Sequence, residues 1–192
     1  MLELIKKIRE RTGAGMVAVK KAIDEAGGNE EKAIEILRKQ GAGKALKRAD
    51  KEAKEGVIVS YIHSNNRMGT LLKLLCETDF VARNEDFQQL AKDIAMHATA
   101  LAPKFIKPEE VSAELVEKEK EIWAAQLANE GKPAEMLEKI MAGKEKKFRE
   151  ESALLTQAFV KDPSKTVGDL IVENVGKMGE NIQIGEIVRF EL

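Results

Sequence analysis

The chain has 192 residues, with 32 Lys+Arg against 33 Asp+Glu and a formal net charge of −1. That balance argues against a polycation built for phosphate backbones, so no direct nucleic-acid partner is expected. A hydrophobic content of 43% excludes a disordered tail, and 34% charged with 4% aromatic residues points to amphipathic helices around an aliphatic core. Cys76 is the single cysteine, which fits a reducing compartment and removes both an intrachain disulfide and a cysteine-rich zinc module. The first turns mix Glu3, Lys6, Lys7, Arg9 and Glu10 with apolar residues, unlike an export signal. No uncharged apolar run approaches the roughly 20 residues that span a bilayer, so a cytoplasmic place with no membrane role is expected.

The first 41 residues carry three short helical patterns divided by glycine. Leu4, Ile5 and Ile8 share one face, Thr12-Gly13-Ala14-Gly15 breaks the pattern, and Val19, Ala22, Ile23 and Ala26 resume it until Gly27-Gly28. Asn29 is placed to cap a third helix by accepting from the amide of Glu31 or Lys32; Ala33, Ile34 and Leu37 form its stripe, and Gly41 is expected to close it. Three helices in about 40 residues bury a marginal core, so this unit must lean on something or offer a surface to a partner. In residues 42–55 Lys44, Lys47, Arg48, Lys51 and Lys54 oppose Asp50, Glu52 and Glu55. A nucleic-acid arm is one reading of those cations; the three acids and the lack of interleaved aromatics favour a solvated helical connector. The expected units are therefore 1–41, a linker 42–55, and a core 56–192.

From Gly56 the pattern becomes extended. Val57 to Ile62 and Thr70 to Cys76 are rich in β-formers and flank the turn residues Ser64-Asn65-Asn66-Arg67, which predicts a hairpin. Phe87, Leu90, Ala91, Ile94, Ala98 and Leu101 then recur at helical spacing, with Asn84 as N-cap and Pro103 beyond the end. Leu115, Val116, Ile122, Trp123 and Leu127 mark a long helix. Pro133 suits the start of the next, in which Met136, Leu137, Ile140 and Met141 point inward; Gly143 is its expected stop, with 144–151 able to extend it. Residues 159–163 read as a loop. Thr166 and Asp169 have capping-box spacing for a last helix through Leu170, Ile171, Val175 and Met178, ended by Gly179. Finally Ile182, Ile184, Val188, Phe190 and Leu192 share one parity, the period of a half-buried strand. The expected class is α+β, a small antiparallel sheet with helices packed on one face.

Chemistry is sparse. Cys76 lies in a Leu-rich run and reads as a small buried hydrophobe, and His63 ends a strand. His97 falls at the border of its helix's apolar stripe, where packing or hydrogen bonding is the ordinary role. Met96 points away from that stripe, an exposed methionine that mildly signals a contact surface. Gly13-Ala14-Gly15 follows a helix and lacks the Lys-Ser/Thr of a phosphate loop. Two histidines and one cysteine make no metal cluster. The residues describe a binding protein without cofactor or metal rather than an enzyme. Thr78-Asp79-Phe80-Val81 lies between strand and helix cap, where a large aromatic needs a reason. Phe80 either folds under the sheet as core or projects beside Asp79 as an aromatic anchor, and the pattern leaves both open.

Several segments occur together in one order: Ile8-Arg9-Glu10-Arg11-Thr12-Gly13-Ala14-Gly15-Met16 with Lys20-Lys21-Ala22; Cys76-Glu77-Thr78-Asp79-Phe80-Val81-Ala82; Ala95-Met96-His97-Ala98; Phe105-Ile106; Gly131-Lys132-Pro133; and Phe159 through Val167. In these blocks the chain resembles bacterial elongation factor Ts, the guanine-nucleotide exchange factor for elongation factor Tu. It departs from the family pattern at Ala18, Lys73, Leu75 and Ala158, where an acid, a Glu, an Asn and a Pro are usual; an Asn at 75 would support the neighbouring loop by hydrogen bonds. The resemblance implies a ubiquitin-associated-like three-helix domain, a connector and an α+β core with room for one lobe, as in the short, homodimeric form. It implies that Thr78, Asp79, Phe80 and Val81 enter the nucleotide-binding domain of elongation factor Tu beside its magnesium. It also makes His97 a second contact, and has Arg11, Met16 and Val17 dock the small domain. A non-exchanging adapter, with the three-helix unit binding ubiquitin-like or chaperone partners, is the competing reading.

Overall fold

The elements run, in chain order, α1 (Leu2–Thr12), α2 (Met16–Glu25), α3 (Glu30–Arg48), β1 (Glu55–Ile62), β2 (Met68–Cys76), α4 (Asp79–Ala82), α5 (Glu85–Leu101), α6 (Ala113–Ala128), α7 (Ala134–Ser152), β3 (Ala158–Phe159), β4 (Asp162–Thr166), α8 (Val167–Met178) and β5 (Gln183–Glu191). The computed structural model describes residues 1–12, 14–128 and 134–192; Gly13 and the Gly131-Lys132-Pro133 segment, with its expected helix start, lie outside the described residues.

Helices α1 to α3 meet through the stripes their sequences carry. Ile5, Ile8, Val19, Ala22, Ile23, Ala33, Ile34 and Leu37 form one buried cluster. The Asn29 side chain accepts from the Lys32 amide at 3.0 Å and so satisfies one orphan donor of α3. Helix α3 does not stop at Gly41. It continues through Gly43 to Arg48, and the first half of the expected connector belongs to the same helix. The physical reason lies across the molecule: a Cβ on Gly176 of α8 would stand 3.3 Å from the Gly41 Cα. Gly41 marks a crossing at which two helix backbones approach closely, and termination is not its role.

Strands β1, β2 and β5 form an antiparallel sheet in the order β1-β2-β5, with Glu55 opposite Cys76 and Ile62 opposite Gly69. Gly56 is required there, because a Cβ would collide with the Leu74 carbonyl oxygen. Across the inner face lies α5: Leu72, Leu74 and Cys76 pack with Phe87, Leu90, Ala91, Ile94 and Ala98, and Val167, Ile171 and Val175 of α8 close the same cluster. The class is α+β. Helix α7 passes Gly143 and takes in 144–151, and the segment expected as a loop at 159–163 is part of a small ribbon, β3 against β4.

The parity expected for the last strand holds only in its first half. Ile184 pairs with Leu74 and Glu186 with Lys73, so Gly185 is an extra residue, a β-bulge. One inserted residue turns every later side chain to the other face. Ile187 packs against the core, while Val188, Phe190 and Leu192 are exposed. Arg189 takes an inward place because its Nε donates to the Thr99 carbonyl at 3.0 Å, an orphan acceptor in the last turn of α5. The outer face of the sheet thus carries exposed Ile58, Ile62, Leu71, Val188 and Phe190.

Candidate functional site

The turn from β2 into α5 contains one short helix, α4. Thr78 is its N-cap, and its hydroxyl accepts from the Val81 amide at 3.4 Å. A single helical turn points its residues in different directions: Val81 and Ala82 enter the core, whereas the Phe80 ring is 83% exposed. Asp79 is exposed as well. Its Oδ2 lies 2.9 Å from Arg83 one turn on, an open-surface pair of the kind worth only about 0.3–0.5 kcal/mol, so the carboxylate is lightly held. The four residues singled out by the sequence therefore divide into two exposed groups, a cap and a core anchor.

The turn is braced from below. Oε2 of Glu180 accepts from the backbone amides of Glu77 and Thr78, both at 3.1 Å, and Oε1 accepts from the Thr78 hydroxyl at 2.7 Å. The Glu77 carboxylate accepts from Arg48 at 2.9 and 3.2 Å and from the Asn181 amide at 2.7 Å. The Asn181 side chain donates in turn to the Lys51 carbonyl at 2.6 Å. Leu75, the departure expected to loosen this turn, is partly exposed and has no hydrogen-bonding side chain; carboxylates from 77 and 180 do the bracing. Nothing local in the sequence announces Glu180, which lies 102 positions from Thr78. The Cys76 thiol donates to the Thr78 carbonyl at 3.2 Å. Burial first, and then the nearby Glu180 charge, pushes its pKa up to about 11, which makes it a poor nucleophile.

His97 is not at the surface. It is fully buried, its Nε2 lies 3.1 Å from Gln157 Oε1, and its Nδ1 accepts from the Val160 amide at 3.2 Å. Those partners assign the proton to Nε2. Burial lowers its pKa from the ordinary 6.5, outweighing the Gln157 hydrogen bond, so the neutral ring is favoured. The border position on the helical wheel is covered because residues 157–160 lie over it, with the Phe159 ring centroid 5.9 Å away. A direct contact through His97, expected from the resemblance, is closed off by that cover; the surface residue above it is Val160. Met96 is partly buried too.

Arg11, Met16 and Val17 sit apart from this turn, on the helices of the first cluster. Met16 and Val17 are exposed at the start of α2. Arg11 reaches Glu30 at 2.6 Å and Lys7 reaches it at 2.7 Å; their hydrogen bonds hold the Glu30 carboxyl below its usual range. The structure thus offers an exposed aromatic with an adjacent acid at one site, and an exposed apolar pair, Met16 and Val17, on the first cluster's α2. Among the described residues, no group of three or more His, Cys, Asp or Glu could hold a metal, and no helix is long and apolar enough to cross a membrane.

The family model described as elongation factor TS matches residues 3–192. A protein named elongation factor Ts from Fervidobacterium nodosum is 50% identical over 190 residues, covering 99% of this chain and 96% of that one. The Thermosipho melanesiensis protein of the same name is 52% identical over 188 residues, covering 98% and 96%. That of Acetivibrio thermocellus is 53% identical over 189 residues, covering 98% and 88%.

Proposed function

The chain belongs to the elongation factor Ts family and is a translation elongation factor, and from that premise we propose that it promotes GDP release from elongation factor Tu by binding alone. The observation that carries this reading is the Phe80 ring, 83% exposed on a turn that is otherwise anchored. Exchange of this kind is linkage. A protein that binds the nucleotide-free GTPase more tightly than the GDP-bound form must weaken GDP binding by the same factor. Phe80 fills an apolar pocket that exists only when the switch region has moved, and Asp79 brings negative charge to where magnesium and diphosphate sit. No bond is made or broken, so no catalytic constellation is needed. Arg11, Met16 and Val17 dock the first three helices on the GTPase. His97 serves by fixing Val160 rather than by touching the partner.

The same reading includes a homodimer acting in the cytoplasm. The bulge at Gly185 places Val188 and Phe190 on the outer sheet face with Ile58, Ile62 and Leu71. An apolar face of that kind is suited to an isologous pairing that would supply a second lobe. The deciding experiment is stopped-flow release of fluorescent GDP from elongation factor Tu with and without this chain. Acceleration that saturates with chain concentration is expected. Binding without acceleration would favour the adapter instead.

A further inference from the structure

We propose that Glu180 is a positioning residue for exchange: its carboxylate fixes the Thr78 turn, and thereby the direction in which Phe80 and Asp79 leave the surface. This rests on the exchange reading above and adds to it a group that touches neither nucleotide nor GTPase.

Three donors converge on that carboxylate, the amides of Glu77 and Thr78 on Oε2 and the Thr78 hydroxyl on Oε1. The hydroxyl has one proton, and it points to Glu180. Its lone pairs are thereby turned toward the Val81 amide at the start of α4. Residue 78 cannot rotate without losing both bonds, so the cap of the Phe80 helix and the Glu180 contact act as one relay. Gly179 makes the approach possible. At φ 76 it ends α8 in the left-handed region and turns the chain back so that Glu180 faces the turn.

The neighbouring carboxylate works in the other direction. Glu77 is held by Arg48 and by the Asn181 amide, while Asn181 also binds the Lys51 carbonyl. Residues 77 and 78 are therefore clasped by 180 and 181, and Arg48 ends the α3 helix that begins in the first cluster. The clasp joins the helix carrying the docking unit to the turn carrying the ring. The turn also has a second anchor. Val81 and Ala82 already bury the turn in the core, and Glu180 is only partly buried. What Glu180 adds is direction, and a wedge that enters a pocket only at one angle is sensitive to small misplacement.

The test follows the release rate of fluorescent GDP from elongation factor Tu as the concentration of the full chain is raised, separating the plateau rate from the half-saturating concentration. Glu180→Ala is expected to lower the plateau by about tenfold while half-saturation moves less than about twofold, the pattern of a mispointed group rather than a lost docking contact. Glu180→Gln, which keeps an acceptor for the Thr78 hydroxyl, restores part of the plateau. Thr78→Val combined with Glu180→Ala loses less than the two single losses multiplied together, because the hydroxyl–carboxylate bond is common to both. An unchanged plateau in Glu180→Ala, or a change confined to half-saturation, overturns the proposal. Should the alanine variant melt below the assay temperature, Glu180→Gln and Thr78→Val carry the same comparison. Phe80→Ala runs alongside: its loss of rate with a normal Glu180→Ala plateau removes the positioning role alone, whereas a native chain that never accelerates release removes exchange and positioning together.

Discussion

Phe80 and His97 both stand out in the sequence, and the fold treats them in opposite ways. Phe80 is an apolar ring left in water, on a turn whose neighbours are anchored by Val81, Thr78 and Glu180. His97 is a polar ring taken out of water, with both nitrogens paired and Phe159 against it. An exposed large aromatic on a fixed turn adds little to folding and is available to a partner. A buried, satisfied imidazole contributes to folding and is unavailable to one. Conspicuous residue type does not separate these roles; what covers the side chain does.

Truncating each ring tests the contrast. His97→Ala leaves Gln157 Oε1 and the Val160 amide without their buried partner and opens a cavity, and is expected to destabilise the fold by about 3 kcal/mol in denaturant titration. Phe80→Ala should leave stability within about 0.5 kcal/mol of the native chain, since so little of the ring is buried. Its effect belongs to the complex: coupling between factor and GDP should weaken by about 2 kcal/mol, roughly thirtyfold, measured as accelerated GDP release. A Phe80→Ala chain that unfolds early, or a His97→Ala chain of native stability, breaks the division. A smaller effect is expected for Asp79→Asn. Its charge is exposed, so release should slow by only about threefold, and the deficit should vary with magnesium concentration. Equal rates at every magnesium level would remove Asp79 from the mechanism.

What the sequence made legible is what short-range chemistry decides. Asn29, Asn84 and Thr166 cap their helices as their spacing implies, because a cap needs only a donor two or three residues ahead. The hydrophobic stripes of α1 to α3 and of α5 fall inside by their helical spacing, except Leu101 at the end of α5, which is exposed. The failures have distant causes. Gly41 reads as a stop until Gly176 is laid against it, and Val188, Phe190 and Leu192 read as core until the bulge at Gly185 reverses them. His97 reads as a border residue because a helical wheel assumes one covered face, whereas Gln157, 60 positions on, covers a second. At the site, Phe80 was conspicuous by its place in a connection, but its direction was open. The Glu180 brace that fixes that direction was invisible, since a glutamate after a helix-ending glycine is indistinguishable from a solvated one.

The finest test of the contrast uses pH. Burial lowers the His97 pKa below 6.5, so the folded chain resists a proton that the unfolded chain accepts more readily. Where the unfolded state binds more protons, stability rises with pH. The contribution is therefore fully present above the ordinary histidine value and declines as pH falls from about 6.5 toward the lowered folded-state value. Denaturation midpoints measured through that interval should fall more steeply for the native chain than for His97→Gln, which cannot take up the proton. Phe80→Ala should follow the native slope, because the ring carries no titrating group and lies outside the core. Parallel slopes for the native and His97→Gln chains would mean that water reaches the imidazole, and with it a partner, which would return His97 to the surface beside Phe80.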